Sequence, residues 1–373
     1  MKSVILSANS SWYLYNFRAS TISALLSKDF IVICIAPEDK YSKKLIELGA
    51  LWEDINIDPS GKNPFKDLIF LRSLHKKFSY YMPVAVFNFT IKNNIYGAIA
   101  ARLLGLDAYS NITGLGTAFL DNPLLSIIAK TLYKFSQSKC IKVFCQNEED
   151  LFFLEKNSLV PKEKLILLPG SGVDTDRFHP SFSNKDKNPP LKLLFAGRML
   201  KDKGLIELIS SMKIINFDQI NCELWLVGFS DSDNSSAISL NEIHSWNKLP
   251  GIKYFGPSDK IEDFLSQIDV AILPSYREGM PKFLLEAGAM EIPSITTDVP
   301  GCRNIIQHNF NGLICKPRDE LSLTNAISTM INMSHEKRLE LGNNARSLIK
   351  KKFDEKIVIS KTLEHLLQTK TSK

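Results

Sequence analysis

Two glutamates, Glu278 and Glu286, and the turn between them form the most chemically suggestive stretch of the sequence. The strand-like run at residues 269–274 ends there, and Gly279 and Pro281 predict a turn followed by a helix. Glu278 is therefore expected on the loop at the carboxyl end of a strand, and Glu286 inside the next helix. Ligands bind at that end of the strands in open α/β sheets. The two carboxylates can accept hydrogen bonds from sugar or ribose hydroxyls, although two solvated charges would fit this segment equally well.

Basic residues and glycines flank an earlier strand-to-helix loop, which contains Gly197, Arg198, Lys203 and Gly204. An arginine and a lysine with glycines that allow close approach can clamp a diphosphate. The backbone N–H groups of the turn at Gly279 also suit an anion such as phosphate. This half of the sequence therefore predicts a site for a phosphorylated ligand that carries hydroxyl groups.

The first half offers weaker candidates. Asn16 and Arg18 lie near the start of the first predicted helix, which is expected to run from Asn16 to Leu26, and Arg18 there can reach an anion in a cleft between domains. A solvated arginine is the alternative. Thr113 and Gly114 begin a loop, residues 113–117, that follows a strand and can form one wall of an acceptor or phosphate site. A structural turn explains that loop equally well.

The elements that must position these residues alternate between strands and helices through both halves of the chain. This alternation predicts an α/β fold in which each half has a doubly wound parallel sheet. A polar, proline-ended segment interrupts the pattern, so we predict domains at residues 1–170 and 191–354 joined by a linker at 171–190. A length of 373 residues also favours two domains.

Composition excludes several classes of protein. No apolar run approaches the roughly 18 residues of a membrane span, and the N-terminus predicts a first strand instead of a secretory signal. The six cysteines and six histidines are dispersed, so neither a metal site nor a disulfide framework is predicted. A net charge of +6, mostly in the first half, is too small to indicate nucleic acid. Mixed basic and aromatic runs at residues 76–82 and 130–135 suit either a membrane interface or helix packing.

The ordered set of motifs resembles the retaining family 4 glycosyltransferases, which have the GT-B fold. The resemblance rests on Gly197-Arg198, Lys203-Gly204 and the Glu278/Glu286 pair, together with the phrases at residues 170–178 and 297–301. It implies two Rossmann-like domains that face each other across a cleft, an acceptor-binding domain at 1–170 and a nucleotide-sugar-binding domain at 191–354. It also implies that the C-terminal helix, about 355–373, packs back on the first domain.

The resemblance assigns roles to the candidate residues. Arg198 and Lys203 are expected to hold the donor diphosphate, Glu278 the hydroxyls of the donor sugar, and Glu286 the ribose. Glu278, Arg198 and Lys203 are the catalytic set. The remaining expectations are Gly197, Gly279, Met280 and Phe255 on the donor side, and Asn16, Arg18, Thr113 and Gly114 on the acceptor side. No bound metal or other cofactor is expected, because arginine, lysine and a helix terminus supply the positive charge.

Phrases at residues 16–18, 111–116 and 275–279 resemble the bacterial branch that extends lipid-linked surface glycans. The implied reaction moves a hexose or N-acetylhexosamine from a UDP-sugar to a sugar on undecaprenyl diphosphate. The enzyme is then expected in the cytoplasm, with peripheral contact to the inner face of the membrane. The alternatives are a GDP-sugar donor, a soluble acceptor, a sugar-nucleotide epimerase or a non-catalytic binding protein. The spacing of the two glutamates argues against the epimerase.

Overall fold

The computed structural model describes residues 2–58, 63–114, 123–180, 190–217, 222–230 and 234–371. Residues 115–117 of the loop predicted to wall an acceptor site lie outside these ranges. The chain divides into two compact units, one comprising Met1–Ser171 with Lys356–Lys373 and the other Gly172–Glu355. Each unit is built around one sheet whose strand pairs are all parallel.

The sheet of the first unit has the strand order β3-β2-β1-β4-β5-β6-β7. Its strands are β1 (Ser3–Ser7), β2 (Ile31–Ile35), β3 (Leu51–Glu53), β4 (Ala85–Phe89), β5 (Ala108–Ile112), β6 (Lys142–Cys145) and β7 (Leu165–Leu167). Every residue of β4 and β5 is buried, as expected when helices cover both faces of a parallel sheet.

Helices lie on both faces of this sheet. They are α1 (Ser11–Leu26), α2 (Ser42–Glu47), α3 (Pro64–Tyr81), α4 (Ala98–Leu103), α5 (Pro123–Gln137), α6 (Glu148–Lys156) and, after the second unit, α14 (Glu355–Thr371). Because side chains alternate along a strand, Ile5 joins the core under α3 to α6, while Val4 and Leu6 join the core under α1, α2 and α14. A π-helical turn, Asn93–Gly97, leads into α4.

The second unit has the strand order β10-β9-β8-β11-β12-β13. Its strands are β8 (Leu191–Ala196), β9 (Cys222–Val227), β10 (Ile252–Tyr254), β11 (Val270–Leu273), β12 (Ser294–Thr297) and β13 (Gly312–Cys315). Its helices are α7 (Leu205–Ile215), α8 (Leu240–Trp246), α9 (Ile261–Leu265), α10 (Lys282–Ala289), α11 (Cys302–Ile305), α12 (Glu320–Asn332) and α13 (His335–Lys352). In the second unit β9 and β10 extend the sheet on one side of β8, and β11 to β13 extend it on the other, so the strand order reverses between β8 and β11. In the first unit the same reversal lies between β1 and β4.

Some boundaries differ from the sequence-based expectation. Helix α1 begins at Ser11, not Asn16, because the Ser10 hydroxyl accepts a hydrogen bond from the backbone N–H of Tyr13 and caps the helix. Residues 172–180, expected in a linker, pack with the second unit because Val173 and Phe178 are buried in its core. Within the described residues, no helix is long and apolar enough to cross a membrane.

Candidate functional site

The reversal of strand order in the second unit brings together the two segments that the sequence singled out. Strands β8 and β11 are neighbours, so the β8–α7 connection (residues 197–204) and the β11–α10 loop (residues 274–281) lie at the same carboxyl edge. Lys203 Nζ forms an ion pair with Glu278 Oε1, and the two side chains are only 19% and 12% exposed. Ser275 Oγ donates a second hydrogen bond to the same oxygen at 2.7 Å.

Close backbone contacts hold the β11–α10 loop from both sides. Gly204 has φ +70°, and a Cβ there would lie 2.0 Å from the carbonyl oxygen of Pro274. On the other side Gly301 has φ +79°, and a Cβ would lie 2.5 Å from the carbonyl oxygen of Gly279. The Thr297 hydroxyl donates to the carbonyl oxygen of Ser275. Glycine is needed at 204 and 301 for both conformation and space, so these residues fix the backbone that carries Glu278.

Glu286 lies in α10, as predicted, and is 8% exposed. Burial raises its pKa, and the ammonium of Lys282, 3.7 Å from Oε1, opposes that rise. Arg177 also favours the ionised form, but it is itself held by Glu262 at 2.8 and 3.0 Å. A buried carboxylate whose negative charge is only partly offset by nearby cations is suited to accept hydrogen bonds from ligand hydroxyls.

The other donor-side candidates occupy the same edge of the sheet. Gly197 and the exposed Arg198 follow β8 directly, and Phe255 follows β10 with an exposed ring that packs 5.1 Å from Trp225. Met280 is half-buried against the core of the second unit. The structure therefore brings the donor-side candidates to the carboxyl ends of β8, β10 and β11.

The chemistry available here is recognition of a phosphorylated, hydroxylated ligand. The Lys203 ammonium has three N–H donors, of which Glu278 uses one, so it can also hold a phosphate oxygen. Glu278 Oε2 receives no hydrogen bond from the described residues and can accept one from a sugar hydroxyl. The part of the chain that the structure describes contains no cluster of three or more His, Cys, Asp or Glu side chains that could hold a metal ion.

A cavity of about 180 Å³ lies at the corresponding edge of the first unit. Its lining residues follow β1, β4 and β5 or precede α3: Asn9, Ile57, Thr90, Ile91, Lys92, Thr113 and Gly114. Thr90 has φ +68°, a strained conformation for a β-branched residue, and such strain concentrates at ligand sites. Lys92 forms an ion pair with Asp67 at 2.6 Å, and the Tyr96 hydroxyl donates to Asp67 at 2.8 Å.

Of the four acceptor-side candidates, Thr113 and Gly114 line this cavity, whereas Asn16 and Arg18 do not. Asn16 Nδ2 donates to the carbonyl oxygen of Trp12. Arg18 is 3% exposed, and its guanidinium lies 4.5 Å from the centre of the Phe89 ring. The Arg18 side chain is thus packed in the unit instead of being presented at its surface.

Two family models match this chain. "Glycosyl transferases group 1" matches residues 176–348 and "Glycosyl transferase 4-like" matches residues 3–147. The chain belongs to this glycosyltransferase family. The Campylobacter jejuni N,N'-diacetylbacillosaminyl-diphospho-undecaprenol alpha-1,3-N-acetylgalactosaminyltransferase is 27% identical over 94% of both chains.

Further comparisons agree with this assignment. The Escherichia coli UDP-Gal:alpha-D-GlcNAc-diphosphoundecaprenol alpha-1,3-galactosyltransferase is 27% identical, over 78% of this glycosyltransferase and 76% of its relative. Among solved structures, Anabaena Alr3699/HepE in complex with UDP-glucose superposes with a TM-score of 0.79 at 15% identity over the whole of both chains. The predicted GT-B fold, with two Rossmann-like units, is confirmed.

Sequence reasoning missed several residues that shape this candidate site. Ser275, which binds Glu278, and Thr297, which binds the loop backbone, are polar residues at strand ends, and that position is the signal that would have identified them. The hydroxyl of Tyr276 donates to Glu207 at 2.5 Å. No sequence spacing links these two residues, because they come from different elements.

Proposed function

We propose that this glycosyltransferase moves a hexose or N-acetylhexosamine from a UDP-sugar, with retention of configuration, to a sugar on undecaprenyl diphosphate. The observation that carries the proposal is the Lys203–Glu278 pair at the carboxyl ends of β8 and β11. The names of two relatives give a diphospho-undecaprenol-linked sugar as acceptor, which supports the acceptor class. The name of the Escherichia coli relative also gives UDP-Gal as donor, which supports the donor class.

Each donor-side residue has a distinct task in this proposal. Lys203 and Arg198 hold the diphosphate, and Glu278 Oε2 accepts from hydroxyls of the transferred sugar. Glu286 accepts from the ribose, and the exposed ring of Phe255 contacts the base. Positive charge next to the diphosphate stabilises the negative charge that develops on the leaving nucleotide, so no metal is required.

Retention of configuration follows from attack on the face that the nucleotide leaves. The bond between the sugar C1 and the phosphate oxygen breaks, a bond between C1 and the acceptor oxygen forms, and the acceptor proton passes to the leaving phosphate. The products are the glycosylated acceptor and UDP. Lys203 acts on the phosphate and Glu278 on the sugar, and no residue of this chain is assigned as general base.

We assign the acceptor sugar to the cavity of the first unit. Its backbone and side chains at Thr90, Thr113 and Gly114 offer hydrogen-bonding groups, and Ile57 and Ile91 offer apolar contacts. Lys92 shares its charge with Asp67, so the cavity suits a polar, uncharged sugar ring better than an isolated anion.

Two helices of the first unit are suited to the peripheral membrane contact that a lipid-linked acceptor requires. Phe65 at the start of α3 is 78% exposed and Ile127 near the start of α5 is 62% exposed. Both helix starts follow the carboxyl ends of strands, as the cavity residues do. The exposed cations Arg72 and Lys134 lie on the same two helices and complement anionic headgroups on the cytoplasmic face of a membrane.

A donor and acceptor panel tests the proposal. Purified protein is incubated in EDTA with UDP- and GDP-sugars and a short-chain polyprenyl-diphosphate GlcNAc, and the anomeric configuration of the product is read by NMR. We expect transfer from a UDP-sugar with an α-linkage from an α-donor. Transfer only from a GDP-sugar would contradict the proposed donor, and transfer only to a soluble sugar would contradict the proposed acceptor. Transfer only with added metal would contradict the proposal that no metal is required. Nucleotide binding without transfer to any acceptor would favour a binding protein.

Vesicle flotation tests the membrane contact separately. The protein is expected to float with vesicles that contain phosphatidylglycerol. A Phe65→Ser/Ile127→Ser variant is expected to remain in the dense fraction at the bottom of the gradient. The matched control is Phe217→Ser, an exposed phenylalanine of the second unit, which should float like the wild type. Equal flotation of all three proteins would rule out α3 and α5 as the contact.

A further inference from the structure

Tyr276 ties the β11–α10 loop to the segment that carries Lys203. Its hydroxyl donates to Glu207 Oε1 at 2.5 Å, and its backbone N–H donates to the carbonyl oxygen of Asp202 at 2.9 Å. Glu207 is four residues after Lys203, and Tyr276 is two residues before Glu278. A second cross-link therefore runs beside the Lys203–Glu278 ion pair and joins the same two segments.

The surroundings of this cross-link restrict its geometry. The guanidinium of Arg318 lies over the Tyr276 ring, 4.6 Å from its centre. A cation–π contact on the ring face therefore restrains this side chain in addition to the hydrogen bond from its hydroxyl. Glu207 Oε2 is buried and receives no hydrogen bond from the described residues. Leaving a buried carboxylate oxygen without a donor opposes folding, so stability alone is a poor explanation for this pair. Holding the loop in one conformation explains it.

We propose that Tyr276 and Glu207 are positioning residues that hold Lys203 and Glu278 at the spacing the donor requires. This inference rests on the proposed function. When donor binds, phosphate contacts the remaining N–H donors of Lys203 and sugar contacts Oε2 of Glu278, so the charge of each side chain is divided between its protein partner and the ligand. Their own ion pair then holds the loop less tightly. The bond from Tyr276 to Glu207 is made between protein atoms only, so it maintains the spacing of the two segments while the ion pair engages the ligand.

The test measures donor KM and acceptor KM separately in four variants. Tyr276→Phe and Glu207→Ala each delete the bond and are expected to raise donor KM about tenfold, the change expected from losing one hydrogen bond to a charged group. The double variant Tyr276→Phe/Glu207→Ala should match the single variants, because all three lack the same bond. Glu207→Gln keeps an oxygen that can accept from Tyr276 and should retain a donor KM close to that of the wild type.

Acceptor KM is expected to stay unchanged in every variant, which separates a positioning role from general destabilisation. The matched control is Tyr81→Phe, since the Tyr81 hydroxyl donates to Glu53 Oε1 at 2.5 Å in the first unit. This variant should lose some thermal stability and keep both KM values. An additive double variant, a parallel rise in acceptor KM, or a Tyr276→Phe enzyme with wild-type donor KM would overturn the inference.

Calorimetric binding of UDP alone distinguishes this failure from failure of the proposed function. Wild-type protein that binds UDP while Tyr276→Phe binds it about tenfold more weakly supports the positioning role. Equal binding by the two proteins overturns the positioning role and leaves the proposed function standing. Wild-type protein that binds neither UDP nor GDP overturns both.

Discussion

Breaking the ion pair between Lys203 and Glu278 should destabilise the second unit far more than breaking an exposed pair. In Lys203→Met the Glu278 carboxylate keeps only the hydrogen bond from Ser275 among the described contacts. In Glu278→Gln the ammonium loses its charged partner instead. Either change leaves a mostly buried charge without compensation, which is the costly case for an ion pair.

The expected magnitude follows from burial. Removing one member of a buried pair costs about 3–5 kcal/mol, and the residual exposure of 19% and 12% favours the lower end. For a unit of this size, about 3 kcal/mol corresponds to a fall in Tm of roughly 6–12 °C. The double variant Lys203→Met/Glu278→Gln should lose no more than either single variant, because no unpaired charge remains. With single losses of about 3 kcal/mol each, this corresponds to a coupling energy of about 3 kcal/mol, the upper end of the range for residues in contact.

Differential scanning calorimetry of the three variants measures these effects. The control is Lys337→Met, which breaks an exposed pair with Glu340 on α13 and should change Tm by no more than the experimental error. The reasoning is refuted if Lys203→Met is as mild as this control, or if the double variant loses the sum of the single losses. Either result would mean that solvent already screens the pair.

Three further predictions concern single groups. Burial raises the pKa of Glu286 above its ordinary value of 4.5, so ionisation of this carboxyl opposes folding once the pH exceeds that value. Glu286→Gln should therefore raise Tm at pH 8 and lose this advantage below pH 4.5. The variant should also bind UDP more weakly, and thermal unfolding with and without UDP measures both effects. Gly301→Ala should lower Tm and raise donor KM because its Cβ meets a carbonyl oxygen of the β11–α10 loop, whereas Gly105→Ala, with positive φ but open space, should cost only about 1 kcal/mol. Lys92→Met should raise acceptor KM about tenfold at unchanged donor KM, since it removes a cation that lines the cavity and leaves the Asp67 carboxylate with only the hydrogen bond from Tyr96. Equal effects on both KM values would contradict the placement of the acceptor.

The sequence was sufficient to predict the two parallel sheets and the local setting of the two glutamates. Buried strands appear as continuous apolar runs, and the turn at Gly279 and Pro281 separates strand from helix, so Glu278 could be placed on a loop and Glu286 in α10. The position of Lys203 beside Glu278 could be predicted only as far as the same sheet edge. Their direct contact depends on β8 and β11 being neighbours, which is a property of the whole sheet.

Two features differ from the sequence-based expectation or lie beyond it, each for a physical reason. The sequence pattern predicts the start of α1 at Asn16, five residues late, because Ser11, Trp12 and Tyr13 show no clear apolar stripe and the helix cap is a single serine, Ser10. The earlier start puts Arg18 two turns into the helix, where it packs against Phe89. The bond between Tyr276 and Glu207 could not be predicted, since the direction of a loop side chain depends on the surrounding contacts and not on spacing.

The contacts of Glu278 order its carboxylate in the ligand-free protein, which favours the proposed donor site. Lys203 and Ser275 both bind Oε1, which fixes the carboxylate orientation in the ligand-free protein. Oε2 receives no hydrogen bond from the described residues and stays available as an acceptor, while the ordering entropy of this side chain is already lost. A glutamate held only by solvent would have to lose that freedom on binding. In the proposed donor site the ion pair therefore lowers the entropic cost of binding, because the carboxylate is already ordered before the sugar enters.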